Sequence, residues 1–159
     1  MKSWLKSLLV LPFLLLSLNV LAQQKSMPDF HFFDTENVAV GKNSIPKGKA
    51  LLLIYFRSDC DHCEHTAVEL KTKAKQYPGY IWMVSGEDAN ALQTFESMMG
   101  LYDIPNLKIL QDKNHQMHTF YNFTQLPYIL LYSASGKLLK QFDELPSVDV
   151  VKKILMESK

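Results

Sequence analysis

The stretch Ala50 to Cys63, which reads ALLLIYFRSDCDHC, decides how this chain is interpreted. It begins with a continuous apolar run, Ala50 to Phe56, which is typical of a strand covered on both faces of a sheet. It ends with the only two cysteines of the chain, Cys60 and Cys63. A helical pattern, Asp61 to Tyr77, starts inside the motif and continues beyond it. The pattern therefore predicts a central strand, then a Cys-x-x-Cys motif, then a helix.

The two cysteines are predicted to be catalytic rather than structural. A disulfide at this spacing closes almost no loop, so it removes little conformational entropy from the unfolded chain. Cys60 stands where the predicted helix begins, and unpaired backbone N–H groups and the helix dipole stabilise a thiolate there. Cys60 is therefore predicted to be the attacking thiolate, and Cys63, one turn further on, the resolving thiol.

Residues beside the cysteines are predicted to tune the redox potential. A protonated His62 would stabilise a neighbouring thiolate and make the disulfide more oxidising. Asp61 acts in the opposite direction through like-charge repulsion, as do Asp59 and Glu64. Because these effects oppose one another, the sequence leaves the potential open.

Residues 1–22 are predicted to be a signal peptide. Lys2 and Lys6 precede an apolar segment that ends at Ala22, and cleavage is expected before Gln23. The alternative is an uncleaved membrane anchor, but the apolar run from Leu8 to Ala22 is shorter than the ~20 residues that a spanning helix needs. Export to the periplasm or cell envelope would place the cysteines where disulfides persist.

The rest of the chain, 23–159, is predicted to form one domain. Lys2 and Lys6 are two of the 17 basic residues of the chain, so the predicted domain has nearly as many basic residues as acidic ones, of which there are 16. That balance argues against a nucleic-acid partner. Strands and helices alternate in the first half, and a hairpin and a helix close the chain, which predicts an α/β fold with a mixed sheet. The predicted strands are 29–34, 50–56, 80–84, 107–110, 128–132 and 137–142, and the predicted helices are 61–77, 88–99, 113–121 and 147–156, with 35–49 as a loop.

The order of these motifs resembles the thioredoxin superfamily, and most of all its exported TlpA/ResA-like branch. The resemblance implies a thioredoxin fold, with a mixed central β-sheet flanked by helices and an N-terminal strand extension. It also implies thiol–disulfide exchange with protein substrates and no resident cofactor. It favours a reductase, which would receive its electrons from a membrane donor, over an oxidase or isomerase. It rests on Pro28-Asp29-Phe30, Gly48-Lys49, the cysteine motif, Tyr121, the run from Leu126-Pro127 to Tyr132, and Gly136-Lys137.

By this resemblance, Leu126 and Pro127 are predicted to bind substrate. A cis bond before Pro127 would shape the loop beside the thiols and leave the Leu126 backbone available to an extended segment. The sequence departs from the family at two positions. Asp59 stands where tryptophan usually precedes the first cysteine, and Ile54 stands where a buried carboxylate is usual. The proton acceptor for the second thiol is therefore unassigned, although a glutamate or histidine of the following helix (Glu64, His65, Glu69) is close in sequence.

Two other classes of function are compatible with parts of the sequence. The first is a metal-binding module, in its sharpest form a copper-delivery protein, with soft ligands drawn from the cysteines and histidines. No second Cys-x-x-Cys is present to complete a zinc site, and haem attachment is disfavoured because glutamate, not histidine, follows the second cysteine. The second is a redox-inactive interaction domain, which the intact dithiol opposes. The candidate metal ligands are Cys60, Cys63, His62, His65, His115 and His118.

Overall fold

A seven-stranded sheet organises residues 26–158, the part of the chain that the computed structural model describes. The predicted signal peptide at 1–22 lies outside the described residues. The strands are β1 (His31–Phe33), β2 (Ala39–Gly41), β3 (Leu51–Tyr55), β4 (Tyr80–Ser85), β5 (Leu107–Gln111), β6 (Tyr128–Tyr132) and β7 (Leu138–Phe142). The helices are α1 (Asp61–Lys73), α2 (Ala89–Met99), α3 (Gln116–Tyr121) and α4 (Val148–Glu157).

The sheet is mixed, as predicted, with the strand order β2-β1-β5-β4-β3-β6-β7. Strands β3, β4 and β5 are parallel to one another, and the remaining pairings are antiparallel. Strand β3 is central: Leu53 pairs with Trp82 on one side and with Leu130 on the other. The motif that follows β3 therefore lies at the carboxyl end of the parallel strands, where ligand sites of α/β proteins usually form.

Alternate side chains of β3 enter two separate cores, one on each face of the sheet. Leu52 and Ile54 pack in the core under α1, α2 and α4, which also contains Cys63. Leu53 and Tyr55 pack in the opposite core, with β1 and the start of α3. All five β3 residues are buried, so the apolar run is unbroken because the strand is covered on both faces, as the sequence indicated.

Helices α2 and α4 both begin at a side-chain cap. The Asp88 side chain accepts a hydrogen bond from the Ala91 amide, and the Ser147 side chain accepts one from Val150, so each satisfies an amide of the first helical turn. Gly100 ends α2 in the left-handed conformation, with φ of 67°.

The predicted loop at 35–49 is wrong in part, because it contains β2 and a short 3₁₀ turn, Lys42–Ser44. Strand β2 is an edge strand of three residues, of which only Val40 is buried. That length is too short for apolar alternation to show in the sequence. Two helix ends also differ from prediction: α1 ends at Lys73 and continues as a 3₁₀ turn, Ala74–Gln76, and α3 starts at Gln116 rather than at position 113.

Within residues 26–158, no helix combines the length and the apolar character needed to cross a membrane.

Tyr77 provides a test of how the end of α1 is held. Its buried hydroxyl donates a hydrogen bond of 2.6 Å to the Pro146 carbonyl, and burial raises the pKa of Tyr77 to about 12. The unfolded chain releases this proton near pH 10. The contribution of Tyr77 to the free energy of unfolding should therefore be fully present below pH 10 and fall as the pH rises toward 12. Urea unfolding at pH 9, 10 and 11 should show this fall, and Tyr77→Phe should make it smaller, because burial also raises the pKa values of Tyr55, Tyr121, Tyr128 and Tyr132 and these residues keep the rest of the slope. An unchanged slope in Tyr77→Phe would contradict this role.

Candidate redox site

The two cysteines form a disulfide at the start of α1, and their Cα atoms are 5.2 Å apart. Cys60 is the N-cap residue, and its sulfur accepts a hydrogen bond of 3.3 Å from the Cys63 amide. Cys60 is partly exposed, whereas Cys63 is fully buried. Cys60 is therefore the more accessible of the two cysteines. The same Cys63 amide would stabilise a Cys60 thiolate in the reduced protein by donating to its sulfur.

The exposed surface around Cys60 is mainly acidic. Asp61 and Glu64 lie in the first turn of α1, on either side of the exposed His62. Asp59 forms an exposed ion pair with Arg57, with 2.5 Å between Oδ2 and Nη2. Carboxylates on residues next to a thiol raise the free energy of its thiolate, and His62 is the only residue of the Cys-x-x-Cys motif whose side chain can offset them with a positive charge.

Cys63 lies in an apolar environment. It shares a core with Ile54 and Phe56, which are both fully buried. Ile54 lies in β3, so the position where the resemblance would place a buried carboxylate carries a hydrocarbon side chain. Glu69, one of the three candidate proton acceptors on α1, instead pairs with Lys73 at 2.7 Å on the helix surface.

The loop before β6 brings Leu126 and Pro127 next to the disulfide. The Leu126–Pro127 peptide bond is cis, and Pro127 is buried. The Leu126 carbonyl oxygen lies 4.0 Å from the sulfur of Cys60, although the two residues are 66 positions apart in the chain. The structure thus gathers at one place the six site residues named from the sequence, the dithiol, His62, Asp61, Leu126 and Pro127.

Sequence reasoning missed Glu87, which follows β4. Its carboxylate accepts hydrogen bonds from the Ser58 amide at 2.8 Å and from the Ser58 hydroxyl at 2.5 Å. It also accepts one from the Ser85 hydroxyl at 2.9 Å. Glu87 therefore holds the segment just before Cys60 against the end of the neighbouring strand. A signal was present, because the loops after adjacent parallel strands lie at the same edge of the sheet.

The histidines named as candidate metal ligands do not assemble into a site. Among residues 26–158, no group of three or more histidine, cysteine or acidic side chains is placed to hold a metal ion. His62 and His65 are exposed on α1, and His115 and His118 lie at the start of α3. The geometry thus offers an accessible disulfide rather than a coordination sphere.

No protein-family model matches this sequence, and no curated protein matches it either. Solved structures do share its fold. A secreted Mycobacterium tuberculosis disulfide oxidoreductase, described as homologous to E. coli DsbE, is 20% identical with a TM-score of 0.63, and the match covers 81% of this chain and 96% of that one.

Two structures from Bacteroides are similar to the same extent. A thiol–disulfide oxidoreductase from Bacteroides fragilis is 22% identical with a TM-score of 0.68, covering 85% of this chain and all of that one (100%). The thioredoxin domain of a thiol–disulfide oxidoreductase from Bacteroides vulgatus is 22% identical with a TM-score of 0.66, covering 87% and 99%. The chain therefore has the thioredoxin-like fold of these structures, with its Cys60–Cys63 disulfide at the start of the helix that follows the central strand.

Proposed function

We propose that this protein is an exported thiol–disulfide oxidoreductase that reduces protein disulfides through Cys60 and Cys63. The observation that carries the proposal is the difference between the two sulfurs: one is accessible and caps a helix, and the other is buried one turn away. A disulfide that only stabilises the fold does not require its two sulfurs to differ in exposure. An exchange reaction needs this difference, because one sulfur must meet the substrate and the other must resolve the intermediate.

The proposed reaction starts from the reduced protein. The Cys60 thiolate attacks one sulfur of a substrate disulfide, the substrate S–S bond breaks, and the departing sulfur takes up a proton. Cys63 then loses its proton and attacks the sulfur of Cys60, which breaks the mixed disulfide and releases the second substrate sulfur as a thiol. Two electrons and two protons thus pass to the substrate, and the protein is left with the Cys60–Cys63 disulfide.

The backbone of Leu126 supports this exchange by offering a pairing edge. Its carbonyl lies beside the sulfur of Cys60, so an extended substrate segment paired there would present its own sulfur to Cys60. Buried Pro127 fixes the position of that edge at the start of β6.

The charges around the dithiol support the direction of a reductase. Asp61 and Glu64 in the first turn of α1 destabilise the thiolate form, and a less stable reduced form makes a stronger reductant. His62 opposes them. Such a reductase needs a supply of electrons, and a membrane dithiol donor is the class of partner that we propose, since the predicted signal peptide would take the domain out of the cytoplasm.

The equilibrium with glutathione tests this function and the role of the neighbouring charges. We expect a potential nearer the reducing value of about −270 mV than the oxidising value of about −120 mV. Asp61→Asn should stabilise the thiolate and raise the potential, whereas His62→Ser should lower it. Each change should alter the equilibrium constant by about three- to tenfold, since a shift of one pKa unit corresponds to a factor of ten.

Lys71→Gln is the matched control, because it removes an exposed charge from the last turn of α1, far from the thiols. A wild-type potential close to that of the strong oxidants would refute the reductase direction. A shift of the same sign in Asp61→Asn and His62→Ser would refute the electrostatic account. Stoichiometric copper or zinc in the purified wild-type protein, lost in His62→Ser, would favour the metal-binding alternative.

A further inference from the structure

A groove of about 620 Å³ opens beside the dithiol, on the far side of Leu126. It lies over the carboxyl ends of the parallel strands, between the last residue of β3, Tyr55, and the last residue of β4, Ser85. Leu126 lines the groove and also carries the carbonyl that faces the sulfur of Cys60. A substrate segment paired with the Leu126 backbone would therefore place a neighbouring side chain in this groove.

Four exposed side chains along the groove can donate hydrogen bonds. Arg57, His115, His118 and Thr124 are exposed along its lining. The Arg57 guanidinium has N–H groups beyond the Nη2 atom that contacts Asp59. The one carboxylate in the lining belongs to Glu87, and it already accepts the hydrogen bonds from Ser58 and Ser85 described above.

The His115 imidazole is held in the groove by its backbone. His115 has φ of 49°, a left-handed conformation that is costly for a residue with a Cβ. Gly86 lies opposite: a Cβ built there would stand 2.4 Å from both Nδ1 and Cε1 of the imidazole, and 2.9 Å from the Tyr55 hydroxyl oxygen. A glycine is thus required for the imidazole to occupy this position, and buried Asp112 braces the turn by accepting from the Gln116 and Met117 amides at 2.9 Å each.

We propose that this groove binds a carboxylate carried close to the disulfide that Cys60 attacks, so that Arg57, His115 and His118 determine substrate specificity. The inference rests on the proposed exchange function and names its substrate class. A carboxylate matches the Arg57 guanidinium in charge and can accept hydrogen bonds from the two imidazoles, whereas a lysine would meet like charge at Arg57. The preferred substrate therefore carries one carboxylate at the groove, and not a run of acidic residues, which would meet Asp59, Asp61 and Glu64 around Cys60.

The test measures how fast the prereduced protein reacts in a single turnover, so that no electron donor is needed. The probes are two peptides that contain the same intramolecular disulfide and differ only in having glutamate or glutamine two residues from one cysteine. We expect the wild-type protein to prefer the glutamate peptide by about fivefold, equivalent to about 1 kcal/mol. The double variant Arg57→Gln/His115→Gln should bring this ratio close to one.

Comparing the reduction rates of the two peptides within each variant cancels any change in reactivity that affects both peptides equally. Lys113→Gln is the matched control, because its ammonium group contacts Asn37 and the Phe33 ring and does not line the groove, and it should keep the wild-type ratio. Gly86→Ala should also lower the ratio, since the added Cβ displaces the imidazole without altering a charge.

If both peptides are reduced but the wild-type protein reduces them at nearly equal rates, the proposal is overturned and the exchange function is not. The same holds if the double variant keeps the wild-type ratio of the two rates. If the protein reduces neither peptide and also fails to reduce the neutral probe 2-hydroxyethyl disulfide, the exchange function itself is overturned. Glutathione disulfide and its neutral tetramethyl ester identify the source of the carboxylate. A preference restricted to the peptides assigns the groove to protein segments, and a similar preference for glutathione disulfide over its ester extends the groove to that small disulfide.

Discussion

Cys60→Ser should abolish disulfide exchange, whereas Cys63→Ser should accumulate mixed disulfides with substrates. Cys60 is the accessible sulfur at the N-cap of α1, so its loss removes the nucleophile. Cys63 is fully buried, so its loss leaves the first attack intact and stops the reaction at the covalent intermediate. Reduction of insulin should fall to the rate of the uncatalysed control in both variants, and non-reducing gels should show trapped adducts for Cys63→Ser alone.

The double variant Cys60→Ser/Cys63→Ser separates loss of chemistry from loss of fold, because it should remain folded and form no adducts. Adducts that accumulate with Cys60→Ser and not with Cys63→Ser would show that the two roles are reversed. Exchange that persists in both single variants would remove the dithiol from the mechanism altogether.

Gly79→Ala should destabilise the domain by about 3 kcal/mol or more, from backbone strain and overpacking together. Gly79 has φ of 113°, and a Cβ added there would stand 2.3 Å from the Ala50 carbonyl oxygen. That oxygen cannot simply move away, since it accepts a hydrogen bond of 2.9 Å from the Tyr80 amide, which aligns the starts of β3 and β4. Urea unfolding followed by circular dichroism would measure the loss as a lower midpoint.

Gly48→Ala is the matched comparison, because Gly48 also has a positive φ, 78°, but a Cβ added there meets nothing within 4 Å. It should cost only the backbone term, about 1 kcal/mol. Equal losses in the two variants would mean that the close approach to Ala50 contributes nothing. Misplacing the start of β3 should also slow exchange in Gly79→Ala, since this strand leads directly into the dithiol motif.

Local features of the sequence were sufficient for the elements that carry the chemistry. Strand β6 has the predicted bounds, Tyr128–Tyr132, and β3 and the start of α1 lie within one residue of theirs. The physical reason is that a buried strand, a helix cap and a helix stop each depend on residues close together in the chain. Asp88 and Ser147 cap their helices because their side chains reach amides only three residues away.

The tertiary structure alone decided which distant residues meet at Cys60. The Leu126 carbonyl and the Glu87 carboxylate come from loops 66 and 29 positions away from the residues that they contact, Cys60 and Ser58. The short edge strand β2 and the groove around His115 depend in the same way on strand order and on the space left by Gly86. Contacts of this kind arise from packing the sheet as a whole, so periodicity and spacing carry no record of them, whereas the dithiol and its helix were readable from fourteen consecutive residues, Ala50 to Cys63.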